Sequence, residues 1–484
     1  MVDEREIQDI IERTQRRVGG PGPQLAKQAA VRAELSGPAA IATGDGVYAT
    51  LDEAIARASA AYKASPRLDL DTRKRMIAGV RAAFLEQAEV LARLAVEETG
   101  LGRVDDKITK NRLVARKAPG PEDLEVQAVT GTDGMMITEF APFGVVGAIT
   151  PVTNPAVTVV NNSISIVSAG NAVVFNPHPS ARRVSNAAVR LVNKAIAAAG
   201  GPTDFVVSTI EPTIESARTL MTHPDVRLLI VTGGPGVVRE ALKTDKRAIT
   251  AGPGNPPAVV DETADVEKAG RDIVRGASFD NNIVCTDEKE VFVVASVADG
   301  LVRSMAANGA YVLAEHELKR LERVIFTELG APGKPGHINP AWIGRDAARI
   351  LAEIGVRPTV EPRLLVAEVP VEHSLVWTEQ MMPVLPVVRV PDVGTAIDLA
   401  VRAEHGFRHT ASIHSTNVST ITRMAQAMNC SIFVANGSNF SGLGEGGEGF
   451  ATMSIASPSG DGMTRPRTFS RERRVAVVGA LRVV

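Results

Sequence analysis

From residue 144 onward, short Val- and Ile-rich runs alternate with longer Ala-rich segments. "GVVGAIT", "AVVFN", "DFVVS" and "RLLIVTG" are nearly unbroken apolar runs, as suits strands buried on both faces. "SARRVSNAAVRLVNKAIAAAG", between the second and third of them, reads as a helix. Alternation of this kind predicts a parallel sheet covered by helices. A second α/β region is expected from about 262 to 462. The chain has 484 residues, more than one core usually organises, so at least two lobes are expected.

Upstream, "TLDEAIARASAAY" opens on a capping box, Thr50 with Glu53. Residues 70 to 99 form one long helical pattern ended by Gly100. Residues 126 to 143 read as a hairpin turning at Asp133-Gly134, and "RRVAVVGALRVV" reads as a final strand. The hairpin and this strand lie outside both α/β regions and are expected to pair across subunits, giving a homo-oligomer, dimer or tetramer. The first eighteen residues predict an amphipathic helix. Asp3 and Glu6 form a capping box, Ile7, Ile10, Ile11, Thr14 and Val18 share one narrow stripe, and Arg16 and Arg17 suit the helix C-terminus. Residues 19–45, rich in Gly, Pro and Ala, read as a flexible linker. A tethered amphipathic helix is expected to lay its apolar face on a partner.

Composition narrows the classes. Hydrophobic residues are 44% and charged residues 22%, ordinary for a globular protein. A net charge of -2 argues against nucleic acid as a partner. No apolar run approaches the ~20 residues that span a bilayer, and the charged start is not a secretory signal. Two cysteines suggest no disulfide framework and fit a reducing cytosol.

Three stretches could carry chemistry. In "RLLIVTGGPGVVREALKT" a strand runs through Gly233, Gly234 and Gly236 into a helix. Glycines let a phosphate approach the backbone, and the helix start offers free N–H groups; a tight turn in any α/β protein would look the same. In "GAITPVTNPAVTVVNNSI", Asn154 follows a strand and could donate to an oxyanion, although an Asn beside a Pro is usually a turn residue. In "GASFDNNIVCTDEKE", Cys285 stands in polar surroundings, as a nucleophilic thiol requires. Cys430, before a core-like run, reads as a small buried hydrophobe. No Cys-His pair and no metal-ligand spacing accompanies Cys285, so no metal is expected. Asp287, Glu288 and Glu290 read as structural or solvated. His405, His409 and His414 read as structural, and Arg465, Arg467, Arg471, Arg473 and Arg474 as a solvated or subunit-facing edge.

In this order the three stretches resemble the aldehyde dehydrogenase superfamily over residues 46–484. "ITPVTNPAVTVVNNSI" and "NNIVCTDEKEVFVV" carry most of the likeness. "NAVVFNPHPSA", "VTGGPGVVREA", "AGPGNPPAVVDETAD" and "EHGFRHTASIHS" are most similar to the coenzyme A-acylating branch of bacterial microcompartments. The resemblance implies an α/β fold with a Rossmann-like cofactor domain (46–125 and 144–261), a catalytic domain (262–462) and a small β oligomerisation element (126–143 and 463–484). It implies that Cys285 attacks an aldehyde and that Asn154 helps form the oxyanion hole. NAD would lie against Thr150, Pro151, His178, Pro179, Gly233, Gly234, Gly236, Gly252 and Glu379, the last on the nicotinamide ribose. Hydrolytic relatives keep a general-base Glu where this chain has Ala251 to Pro257, without a carboxylate. Their Lys near the adenosine ribose matches Asn176. The implied activity is oxidation of propanal or ethanal to acyl-CoA, with coenzyme A as co-substrate. Such enzymes often enter a microcompartment lumen by a short helix that docks on a shell protein or other cargo, here residues 2–18. The alternatives are a hydrolytic or phosphorylating semialdehyde dehydrogenase of the same fold, or an inactive cargo or scaffold protein.

Overall fold

The computed structural model describes residues 43–65 and 68–483. The expected N-terminal helix and nearly all of its linker lie outside the described residues. Among the described residues twenty strands, β1–β20 in chain order, form five sheets. The first sheet has the order β1-β6-β5-β4-β7-β8. Its strands are β1 (Val47–Tyr48), β4 (Val145–Thr150), β5 (Ala172–Pro177), β6 (Val206–Thr209), β7 (Val226–Thr232) and β8 (Arg247–Ala251), paired in parallel throughout. Every residue of β4, β5 and β6 is buried, which is why these runs show no polar alternation. From β4 the chain steps outward to β5 and β6, then returns past β4 to β7 and β8. That reversal opens a crevice at the carboxyl ends of β4 and β7, where doubly wound sheets bind ligands.

Helices α1 (Leu51–Ala64), α2 (Leu70–Glu86), α3 (Ala88–Thr99), α4 (Val104–Lys117), α5 (Pro155–Ser168) and α6 (Arg182–Ala198) pack around this sheet. Thr50 caps α1, its hydroxyl accepting from Glu53 N at 3.2 Å. The single helix expected over 70–99 is two. It breaks at Gln87, the C-cap of α2 and the N-cap of α3. The Asn111 amide fixes the bend from α4, donating to Ala88 O at 2.8 Å. No Gly or Pro marks the break. Gly100, at φ +67°, ends α3 as expected.

The second sheet has the order β11-β14-β15-β10-β9-β16-β17. These are β9 (Pro257–Val260), β10 (Glu290–Val294), β11 (Ala310–Val312), β14 (Leu364–Glu368), β15 (Val384–Val390), β16 (Thr410–His414) and β17 (Ile432–Ala435), again all parallel. The expected lobe boundary at 261 falls one strand late. β9 pairs with β10 and β16, so the second lobe starts at Pro257. A four-residue apolar run carries nothing to say which sheet it joins. The chain therefore crosses between sheets in residues 252–256. Two small sheets, β12 (Phe326–Glu328) with β13 (His337–Ile338) and β18 (Ile455–Ala456) with β19 (Gly462–Met463), complete the core.

The hairpin is β2 (Gln127–Gly131) and β3 (Gly134–Pro142), with β20 (Ser470–Val478) antiparallel to β3 along its length. The last strand starts earlier than the sequence pattern suggested and stops at Val478. Asn171 ties this element to the first lobe. Buried completely, it accepts from Phe143 N at 2.7 Å and Gly144 N at 3.1 Å, and donates to Phe469 O at 2.9 Å. Asn171→Ala strands two N–H groups, that of Gly144 buried, and the carbonyls of Phe469 and Ile166, a loss of about 2–4 kcal/mol. A lower urea midpoint is expected, and an unchanged midpoint would show that the tie is not what joins the two parts.

Candidate active site

The residues before Cys285 adopt a conformation that L-amino acids avoid. Asp280, Asn281 and Asn282 have φ of +46°, +56° and +63°. Each left-handed non-glycine residue costs about 1 kcal/mol or more. Each is held by its own side chain. Asp280 accepts from Arg103 N at 2.7 Å and from Lys107 Nζ at 2.9 Å. Gly102 is required beside it, since a Cβ there would lie 2.1 Å from Asp280 Oδ1. Asn281 Nδ2 donates to Gly344 O at 2.9 Å and to Asp346 at 3.0 Å. Asn282 Nδ2 donates to Ala277 O at 2.8 Å and Glu288 O at 2.9 Å. The turn then releases the chain into Ile283, Val284 and a half-buried Cys285.

Below the loop lies a buried charge cluster. Asp287, Glu288, Lys289 and Glu290 are all fully buried, so the acids are not solvated. Lys289 Nζ bonds Asn282 O at 2.7 Å, Asn282 Oδ1 at 2.6 Å and Val284 O at 3.3 Å. Asp287 accepts from Val284 N at 3.1 Å, and Glu288 from Asn439 N at 2.8 Å. Burial pushes all three acids up, Glu288 to about 8, so each tends to hold a proton. Burial and then the nearby Glu379 carboxylate push the Cys285 thiol up to about 12, against the pull of Lys289. The resting thiol is therefore protonated at neutral pH.

The inter-lobe crossing passes over this loop. A Cβ on Gly254 would lie 2.7 Å from Cys285 O and 3.1 Å from the His409 ring. Gly254 N donates to Glu379 Oε1 at 3.3 Å. Thus the stretch from Ala251 to Pro257, which lacks a carboxylate, lies directly against the cysteine, and Glu379 reaches the same place. His409 was read as structural, yet it joins this group. Its Nδ1 pairs with Thr410 Oγ1 at 2.8 Å, while its buried Nε2 has no partner. Burial lowers it to about 4, so the imidazole is neutral. Nothing local in "EHGFRHTASIHS" distinguishes it from His405, which bonds Trp377 O at 2.8 Å.

Asn154 begins α5 and is 9% exposed. Its Oδ1 accepts from Lys110 Nζ, which also bonds Asp280. The amide and the cysteine loop therefore share one buried network. Lys110 and Lys107 went unnoticed in the sequence because a lysine on a helix ordinarily faces solvent.

The other expected positions line the crevice of the first sheet. Thr150 ends β4, buried and with its hydroxyl unpartnered, and Pro151 follows it. His178 and Pro179 follow β5 and are exposed. Gly233 and Gly234 follow β7, and α8 (Pro235–Leu242) starts at Pro235 with Gly236 next. A Cβ on Gly234 or Gly236 would meet nothing within 4 Å, so the helix start is open to a phosphate. The unpaired Thr150 hydroxyl and this open helix start fit a dinucleotide. Gly252 follows β8, packed near Pro458. Asn176 is engaged by α7 (Ile214–Thr222), accepting from Ser216 Oγ at 2.6 Å. Among the described residues no group of His, Cys, Asp and Glu could hold a metal ion, and no helix is long and apolar enough to cross a membrane.

Such features define a two-lobed α/β protein with a nucleotide-type crevice beside a loop-borne cysteine. Residues 30–320 match the Aldehyde dehydrogenase family, and the chain belongs to that family. It is 49% identical to an acetylating acetaldehyde dehydrogenase of Escherichia coli, over 92% of this chain and 95% of the relative. Among solved structures it is similar to Rhodopseudomonas palustris propionaldehyde dehydrogenase with bound coenzyme A and an acylated cysteine. That match has 45% identity and a TM-score of 0.88, and covers 91% of this chain and all of the other. A propionaldehyde dehydrogenase from the Clostridium phytofermentans fucose utilisation microcompartment matches at 42% identity and a TM-score of 0.88, over 91% of this chain and all of that one.

Only the thiolate reacts with alkylating reagents, and a thiol at about 12 stays below half-ionised throughout the accessible range. Iodoacetamide labelling of Cys285, followed by peptide mass spectrometry, is expected to accelerate about tenfold per pH unit from pH 7 to 10 in cofactor-free protein. A plateau below pH 9 would mean that a thiolate is already present at rest.

Proposed function

We propose that this protein oxidises a small aliphatic aldehyde, propanal or ethanal, to its acyl-CoA through a thioester on Cys285. The observation that carries the reading is the carboxylate-free Ala251–Pro257 stretch lying against the cysteine loop. The acylated cysteine of the Rhodopseudomonas relative supports it.

Thr150, Pro151, His178, Pro179, Gly233, Gly234, Gly236, Gly252 and Glu379 would hold NAD. When bound, the nicotinamide accepts the hydride that leaves the substrate carbon. Cys285 Sγ attacks the aldehyde carbonyl, and its proton passes to a neutral base; the candidate is His409, whose buried Nε2 has no partner and whose ring lies beside Gly254. Asn154 Nδ2 donates to the oxygen as it gains charge, together with the Cys285 backbone N–H. Loss of hydride leaves the acyl group on Cys285 as a thioester. With no carboxylate in the Ala251–Pro257 stretch to activate water, hydrolysis is slow. The thiolate of coenzyme A then displaces the Cys285 thiolate and carries off the acyl group.

The same reading places the activity inside a bacterial microcompartment, with residues 2–18 docking on a shell protein or other cargo. The exposed valines Val129, Val475 and Val478 on the β2-β3-β20 sheet support subunit pairing there, as a dimer or tetramer.

The test follows absorbance at 340 nm with NAD and propanal. Sustained turnover is expected only with coenzyme A present, and none from Cys285→Ala. Equal turnover without coenzyme A would mean a hydrolytic enzyme, a requirement for phosphate would mean a phosphorylating one, and activity in Cys285→Ala would sink the thioester.

A further inference from the structure

Asn154 sits at the N-cap of α5, where an asparagine normally bonds back to the first N–H groups of its own helix. It makes no such bond. Its Oδ1 accepts from Lys110 Nζ instead, and its Nδ2 keeps only a 3.3 Å contact to Thr153 Oγ1. The acceptor end of the amide is used, and the donor end is nearly free.

Lys110 is 1% exposed and comes from α4. One turn earlier, Lys107 donates to Thr153 O at 3.1 Å and to Asp280 Oδ2 at 2.9 Å. Lys110 bonds the same Asp280 oxygen. The two lysines thus grip the Thr153-Asn154 segment with one hand and the first residue of the left-handed turn before Cys285 with the other. Neutralising Asp280 does not explain Lys110, since Lys107 already bonds that carboxylate, and neutralisation requires no bond to Asn154.

An ammonium against an amide oxygen has two consequences. It forbids the flipped amide, which would set N–H donors against an ammonium. It also draws charge toward the oxygen, which strengthens the amide N–H as a donor in a medium without water. We propose that Lys110 is a positioning residue for the oxyanion donor: it holds Asn154 by its carbonyl oxygen, aims and polarises Nδ2 for the substrate oxygen, and registers that donor to the Cys285 loop through Asp280. This rests on the reading of Asn154 as the oxyanion donor.

A double-mutant cycle in the full chain tests it, reading the pre-steady-state rate of NADH formation with propanal. Asn154→Ala is expected to slow that rate about 100-fold or more. Lys110→Met is expected to slow it about tenfold or more, with little change in the KM for propanal. In the Asn154→Ala background, Lys110→Met should add almost nothing, because its target is gone. Losses that multiply would mean that Lys110 acts elsewhere and would overturn the proposal. So would a wild-type rate in Lys110→Met beside a slow Asn154→Ala, an outcome that leaves the oxyanion reading intact. A wild-type rate in Asn154→Ala would bring down that reading and this proposal with it. Should Lys110→Met not fold, Lys110→Gln keeps a neutral donor of similar reach; its smaller loss must likewise vanish without Asn154.

Discussion

Three consecutive left-handed residues, none of them glycine, are the constraint on which the rest of the site depends. Asp280, Asn281 and Asn282 throw the chain through a turn that leads to the half-buried Cys285. A local sequence would not choose that path, because each step is unfavourable for an L-residue. The compensation comes from far away: α4 supplies lysines and Arg103 N for Asp280, the 344–346 segment holds Asn281, and α9 (Val266–Ala277) with the residues after the cysteine holds Asn282. Cys285 is therefore positioned by the tertiary structure. Its geometry cannot form before both lobes are packed.

Burial has an electrostatic consequence. One lysine and three acids lie within a few residues of the thiol, all removed from water. Desolvation raises the acids and the thiol alike, against the pull of Lys289 and, for the thiol, Asp287 and Glu288, of backbone N–H groups. A protonated resting cysteine is protected from adventitious oxidation and alkylation. On the proposed reading its reactivity depends on groups that meet the substrate, above all a donor for the oxygen that becomes negative. The same low dielectric that suppresses the thiolate strengthens that donor.

Much of the frame was legible. Runs such as "GVVGAIT" and "AVVFN" became buried parallel strands because an unbroken apolar run has no other place to go, and the hairpin formed where expected, although it turns through Thr132 and Asp133, one residue earlier than Asp133-Gly134, with positive φ at Gly134 alone. Failures arose where a distant side chain decides. The helix over 70–99 breaks at Gln87, where Asn111 from α4 donates to Ala88 O. β9 belongs to the second sheet because of neighbours 30 and 150 residues later in the chain. At the site, Cys285 and Asn154 stood out by residue type in context. Lys110, Lys107 and His409 did not, since their roles lie in partners that no local pattern reveals.

The crossing from β8 to β9 shows how fold and chemistry are coupled. Gly252, Pro253 and Gly254 carry the chain from one sheet to the other, and at Gly254 the backbone comes so close to Cys285 that a side chain has no room. Asn255, the next residue, is fully buried and spends its amide on Val376 O and Ala403 O, bracing the second lobe. The segment is thus occupied by the mechanical task of joining two sheets over the nucleophile, and it contributes backbone there instead of a side-chain base. On the proposed reading, a strand-to-strand link of this composition would leave water unactivated beside the thioester, and the architecture that connects the lobes would also decide which nucleophile finishes the reaction.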